Sequence, residues 1–213
     1  MAVRNHLLDS KIKEAAVSEF SEKGYREASM RKIASLADVT VGAIYTRYRT
    51  KDILFLSCVN ELLAAIRETH EEVVNRYNAR PRGGVEAIIE HIRCIIAYET
   101  DAAVSVLLEY PEQTKLLLTR SQGSSLEHFF DTLINDKVKS SIELLHEVGI
   151  ENVDEKLLRM TIALHYHSVV DIFDSGCDMQ EARRYLDVLT NYHIAGFNAI
   201  FYDICPRKKK TSE

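Results

Sequence analysis

Hydrophobic positions recur at helical spacing along almost the whole chain, and no stretch alternates convincingly with period two. Helices are therefore expected throughout, and strands are not. Three prolines and eight glycines fall mainly between the periodic segments. Gly24, Gly83, Gly84, Gly123, Gly149 and Gly176 stand where helical patterns stop, as glycine does just past a helix C-terminus. No internal repeat or low-complexity segment is visible.

The spacing predicts a first helix from about Asp9 to Lys23, with Ala15, Ala16, Val17 and Phe20 on its apolar side. Ser29 can cap a short second helix that carries Met30, Ile33, Ala34 and Ala37 inward. Asp38 and Val39 form a tight turn, and Thr40 caps a third helix, Val41 to Tyr48. Thr50 then caps a long helix beginning at Lys51. Past a gap at Arg80 to Gly84, Val85 to Ile96 mark another helix, and a shorter one spans about Ala102 to Tyr110, stopped by Pro111. Further helices are expected from about Ser125 to Val148, Asp154 to Phe173 and Met179 to Tyr202.

The last two are apolar over much of their circumference. Leu157, Leu158, Ile162, Leu164, Val169, Val170 and Ile172 cannot all face one monomer core, and the run from Tyr185 to Phe201 presents the same excess. A helix this apolar is buried on two sides. The second side is either a symmetry mate in a four-helix dimer interface or a covering of the same chain.

Two short helices joined by a tight turn have helix-turn-helix geometry, in which the second helix fits the major groove of DNA. Ile44 and Tyr48 are four apart and can pack inward on Ile33 and Val39, leaving Val41, Gly42, Tyr45 and Thr46 on an outward stripe. Spacing alone fits a purely structural three-helix unit as well.

The formal net charge of -5 looks wrong for a DNA binder, but its distribution is uneven. Met1 to Lys51 holds ten Lys/Arg against six Asp/Glu, and the remainder 17 against 26. A basic start on an acidic body suits one end facing phosphates. No apolar run approaches the roughly 18 residues a membrane span needs, and the first residues lack the apolar core of a signal peptide. A cytoplasmic protein is expected. Cys58, Cys94, Cys177 and Cys205 are far apart, form no C-x-x-C and read as buried thiols of a reducing compartment, with a redox-sensing pair as the alternative.

The stretch Glu22 to Phe55 closely resembles the N-terminal signature of the TetR family of bacterial regulators. Gly24-Tyr25, Ser29, Ile33-Ala34, Val39-Thr40, Gly42, Ile44-Tyr45, Lys51-Asp52 and Leu54 carry the match. Asp38 replaces the usual turn glycine, and Asp tolerates left-handed backbone better than most residues. Arg47 replaces the common histidine and keeps a cationic donor, and Tyr48 replaces phenylalanine.

The resemblance implies an all-α protein. A helix-turn-helix DNA-binding domain would occupy residues 1–51, a larger effector-binding and dimerisation domain 52–205, and a basic flexible tail 206–213. It also implies phosphate contacts from Ser29, Thr40, Tyr45, Arg47 and Lys51, and base contacts from Arg31, Val41, Gly42, Ala43 and Thr46. Arg31 suits a guanine, while Val41, Ala43 or Thr46 suits a thymine methyl. For Arg31 a phosphate contact or free exposure, and for Tyr45 core packing, stand as alternatives. The partners implied are double-stranded DNA with a palindromic operator, a second copy of the chain through the last two long helices, and a small-molecule effector that relieves repression. No cofactor is implied.

Candidates for the effector pocket are Arg93, Tyr98, Glu99, Tyr110, His128 and His165, polar or amphipathic residues on apolar segments; each also reads as a satisfied core or interface residue. His165 and His167 point to different sides of a helix, and His91 with Cys94 supplies two metal ligands at most. A di-iron enzyme would need two Glu-x-x-His motifs, and only Glu143 to His146 fits. A dimeric scaffold without DNA binding is the other alternative, and the intact Thr40, Tyr45 and Lys51 argue against it.

Overall fold

A computed structural model describes residues 2–76, 85–147 and 149–205. Nine α-helices and no strand are present among them: α1 Ala2–Glu27, α2 Met30–Leu36, α3 Val41–Arg47, α4 Lys51–Arg76, α5 Val85–Glu109, α6 Pro111–Thr119, α7 Phe129–Glu147, α8 Glu155–Asp174 and α9 Met179–Ile204. The all-helical expectation is met. Gly83, Gly84 and the basic tail 206–213 lie outside the described residues.

Several elements differ from the spacing-based reading. α1 begins at Ala2, well before Asp9, and its helical geometry breaks at Gly24, where φ is 73° and ψ 163°. α5 runs unbroken through Ala102. No glycine or proline interrupts it there, and Thr100 and Val104 are buried along its length. Pro111 does end α5, but it also opens α6 as a first-turn proline, where its missing N–H costs nothing. α6 buries Thr114, Leu116 and Leu117 and escaped the periodicity because it is short. α7 starts at Phe129, after a turn that occupies the first residues assigned to that helix.

The described chain forms two compact units, residues 1–67 with 106–128, and residues 68–105 with 129–213. The first unit closes around Ile12, Ala16, Phe20, Ile33, Ile44, Leu54 and Phe55, all without solvent exposure. Phe55 meets Phe20 edge-on at 5.0 Å and Tyr25 at 5.3 Å. The break at Gly24 lets the Tyr25 N–H donate to the Arg120 carbonyl at 2.8 Å, so the end of α6 is hydrogen-bonded to the end of α1. The Ser125 N–H donates to Asp52 Oδ1, also at 2.8 Å.

In the second unit α7 packs on α8 and α8 on α9. Ile88, Ile92, Leu145, Leu158, Phe197, Phe201 and Ile204 form its core. Asp154 caps α8, and Asp178 caps α9 in a reciprocal capping box with Glu181.

Candidate nucleic-acid interface

The site is built on the first unit. Ser29 caps α2 by accepting the Lys32 N–H at 3.4 Å, and its own N–H donates to Glu19 Oε1 at 2.9 Å. Glu19 is buried on α1, so a carboxylate is fixed against the start of α2, where the helix dipole favours negative charge. Between α2 and α3, Asp38 adopts φ 54°, the left-handed conformation that its short polar side chain tolerates. The Val39 N–H then donates back to the Ala34 carbonyl at 2.9 Å and closes the turn.

Thr40 caps α3 by accepting the Ala43 N–H at 3.1 Å. Ile44 and Tyr48 are buried, which fixes the inner face of α3. Gly42, Tyr45 and Thr46 are exposed on the other side, while Val41 and Ala43 are half-buried. Tyr45 keeps 43% exposure, too much for a core tyrosine. The Thr46 hydroxyl donates to the Gly42 carbonyl at 2.8 Å, so its methyl is turned away from that bond. Arg31 is exposed on α2.

Of the expected phosphate-contacting cations, Arg47 at the end of α3 and Lys51 at the start of α4 are each held. Lys51 Nζ donates to the Arg26 carbonyl at 3.3 Å and sits 4.7 Å over the Tyr25 ring. Burial pulls its pKa down, and the Glu19 carboxylate opposes that shift. Arg47 Nε donates to Asp9 Oδ1 on α1 at 2.8 Å. Neither Glu19 nor Asp9 was singled out by sequence reasoning, because each acts on a residue 10 or 38 positions away.

The effector candidates scatter. Arg93 is exposed and ion-paired with Glu90 one helical turn away. The Tyr98 hydroxyl donates to Glu72 Oε1 at 2.6 Å, and Arg76 stacks over its ring. Tyr110 caps α6 without a side-chain bond, and His128 is exposed; both belong to the first unit. Glu99 and His165 do converge. Glu99 is ion-paired with Lys137 of α7, and the same lysine acts electrostatically on His165. The His165 ring lies 4.8 Å from that of His193, and Tyr166 meets Phe130. Burial, then His193 and Lys137, push the His165 pKa down to about 4, so it is neutral at ordinary pH. Lys137, Tyr166 and His193 were missed because nothing local separates them from other helical polar residues.

A turn-linked helix pair with a capped, outward-facing second helix defines the helix-turn-helix class of DNA-binding proteins. Residues 12–58 match the family described as bacterial regulatory proteins, tetR family. The uncharacterised HTH-type transcriptional regulator YuxN of Bacillus subtilis is 26% identical over 164 residues, 73% of this chain and 55% of that protein. The match thus spans about half the length of that relative. A TetR-family member from Streptomyces coelicolor A3 shares the fold at a TM-score of 0.58 and 19% identity, over 87% of this chain and 90% of that one. The regulator FadR of Bacillus subtilis, solved with stearoyl-CoA, does so at 0.51 and 20%, over 85% and 97%. Residues 12–58 thus carry the N-terminal pattern of the bacterial tetR regulators, and the described chain shares the fold of solved TetR-like regulators. These likenesses are to transcriptional regulators, and no described helix is long and apolar enough to cross a membrane.

Proposed function

We propose that this protein is a ligand-responsive, sequence-specific transcriptional regulator that binds a palindromic operator as a homodimer and is released from it by a small molecule. The observation that carries the reading is the outward face of α3. Its inner face is anchored by Ile44, its start is capped by Thr40, and Gly42, Tyr45 and Thr46 are left to solvent. In this reading Ser29, Thr40, Tyr45 and Lys51 hold phosphates, while Arg31, Val41, Gly42, Ala43 and Thr46 meet base edges. DNA reading lies within residues 1–51, and dimerisation and ligand binding within 52–205.

The dimer face is the outer side of α8 and α9. Met160, Leu164, Val188 and Tyr192 are 61%, 55%, 62% and 63% exposed there. Met160, Leu164, Tyr192 and Phe197 line a groove of about 370 Å³ between the two helices. An apolar face of this kind is what a symmetry mate covers. Effector and DNA then bias one another reciprocally, by typically ~1–3 kcal/mol. Stearoyl-CoA, the molecule bound by the Bacillus FadR structure, is the first probe for the effector.

A gel shift with the DNA upstream of the protein's own gene tests the reading. Tyr45→Ala and Lys51→Ala should each weaken binding while the dimer stays folded. Absence of salt-sensitive binding by the wild-type protein would overturn the regulator reading.

A further inference from the structure

Arg47 stands where the family resemblance places a phosphate-contacting cation, and the structure gives it a different partner. It is the last residue of α3. Its guanidinium Nε donates to Asp9 Oδ1 on α1 at 2.8 Å, across 38 residues of sequence. Both side chains are partly withdrawn from solvent, to 25% exposure for Arg47 and 40% for Asp9. Such a pair is less screened than one in open water, and a charge-assisted bond to the rigid guanidinium plane fixes direction as well as distance.

The location gives the bond its consequence. α3 has seven residues, far fewer than a helix needs to persist unaided, so its orientation depends on its anchors. Ile44 and Tyr48 anchor it through burial, and the Tyr48 side chain is also hydrogen-bonded to Ser57 on α4. Arg47 adds a directional tie from the C-terminal end of the same helix to α1. That tie is also electrically closed, because the Asp9 carboxylate offsets the charge that Arg47 would bring to a phosphate.

We propose that Arg47 and Asp9 form a positioning pair that sets the angle of α3 in the major groove, and that Arg47 is not a phosphate ligand. The proposal rests on the DNA-binding reading and reassigns one residue within it. It makes Asp9, an acidic residue in a basic segment, a requirement for sequence recognition.

The two roles separate experimentally. Losing a phosphate ligand weakens all duplexes alike and lowers the slope of log K against log salt by about 0.9. Losing a positioning contact weakens the cognate duplex selectively and leaves the slope unchanged. The full-length protein is titrated by fluorescence anisotropy against two duplexes, one enriched by the wild type from a random-sequence pool and one of scrambled sequence. Arg47→Ala and Asp9→Asn should each weaken the enriched duplex about tenfold and the scrambled duplex less than twofold, with unchanged salt slope. The exchange of Asp9→Arg with Arg47→Asp should restore the ratio to within threefold of wild type, although it puts a carboxylate at position 47.

The proposal is overturned if Arg47→Ala weakens both duplexes equally with a lower slope, if Asp9→Asn binds as wild type or tighter, or if the exchange binds neither duplex while remaining folded by circular dichroism. Asp9→Asn is nearly isosteric and decides the matter should Arg47→Ala fail to fold. Failure of the wild-type protein to enrich or bind any duplex would instead sink the DNA-binding reading itself.

Discussion

The two units manage their apolar surface in opposite ways. The first unit closes its core on itself, although Leu7, Leu36, Tyr45 and Ile53 stay exposed. Residues from α1, α2, α3, α4 and α6 meet in one core whose central side chains have no exposure, and the outward side of its α3 presents Gly42, Tyr45 and Thr46. The second unit is unfinished. Its last two helices leave Leu164, Val188 and Tyr192 more than half exposed, while Lys137, Glu99, His165 and Tyr166 place polar groups in its interior. A unit that must present a fixed helix to DNA benefits from a closed, rigid core. In the proposed function the second unit takes a partner and a ligand, which open apolar surface and groups whose pairing can change would serve.

This contrast is broken most severely by truncation in the closed core. Phe20→Ala or Leu54→Ala should cost about 3–5 kcal/mol, read by urea denaturation, because neither site can collapse around the void. Leu164→Ala in the second unit should cost the folded chain far less, since its side chain is 55% exposed. Equal losses would erase the distinction.

Acid should act next, through the second unit. Above pH 6.5 His165 is neutral whether folded or not and contributes nothing. As pH falls below 6.5 the unfolded chain takes a proton that the folded one, with its pKa near 4, refuses. Stability should therefore decline between pH 6.5 and about 4 and then level, by about 3 kcal/mol for this group. His165→Phe should flatten that part of the curve, and an unchanged curve would show that His165 does not carry the acid response.

The proposed dimer face follows. Val188→Asp should weaken self-association at least tenfold by sedimentation while leaving the first unit folded. Unaltered dimerisation would move the interface elsewhere. The smallest effect belongs to α3: Thr40→Ala removes its cap and should cost about 1 kcal/mol. A loss below about 0.3 kcal/mol would mean that α3 is held by its tertiary anchors instead.

Much of the first unit was legible because its signals are local. The Ser29 and Thr40 caps, the left-handed Asp38 and the inward pair Ile44 and Tyr48 all lie within a few residues of what they act on. The Asp9–Arg47 pair was not legible, since nothing near Arg47 distinguishes a guanidinium turned to α1 from one turned to phosphate. α6 was hidden because Pro111 both stops one helix and starts another. In the second unit the apolar excess of α8 and α9 was visible, but the meeting of Glu99, Lys137 and His165 comes from three helices brought together by tertiary packing. Side chains that converge from distant elements leave no periodic trace.

The central claim is that the closed first unit reads DNA as one half of a symmetric pair. The most direct measurement is stoichiometry and salt dependence of wild-type binding to a duplex enriched from a random pool. The account predicts two chains per duplex, half-site centres about 34–36 Å apart or somewhat more, and affinity that falls steeply with salt. No enriched sequence, or binding indifferent to salt, would contradict it.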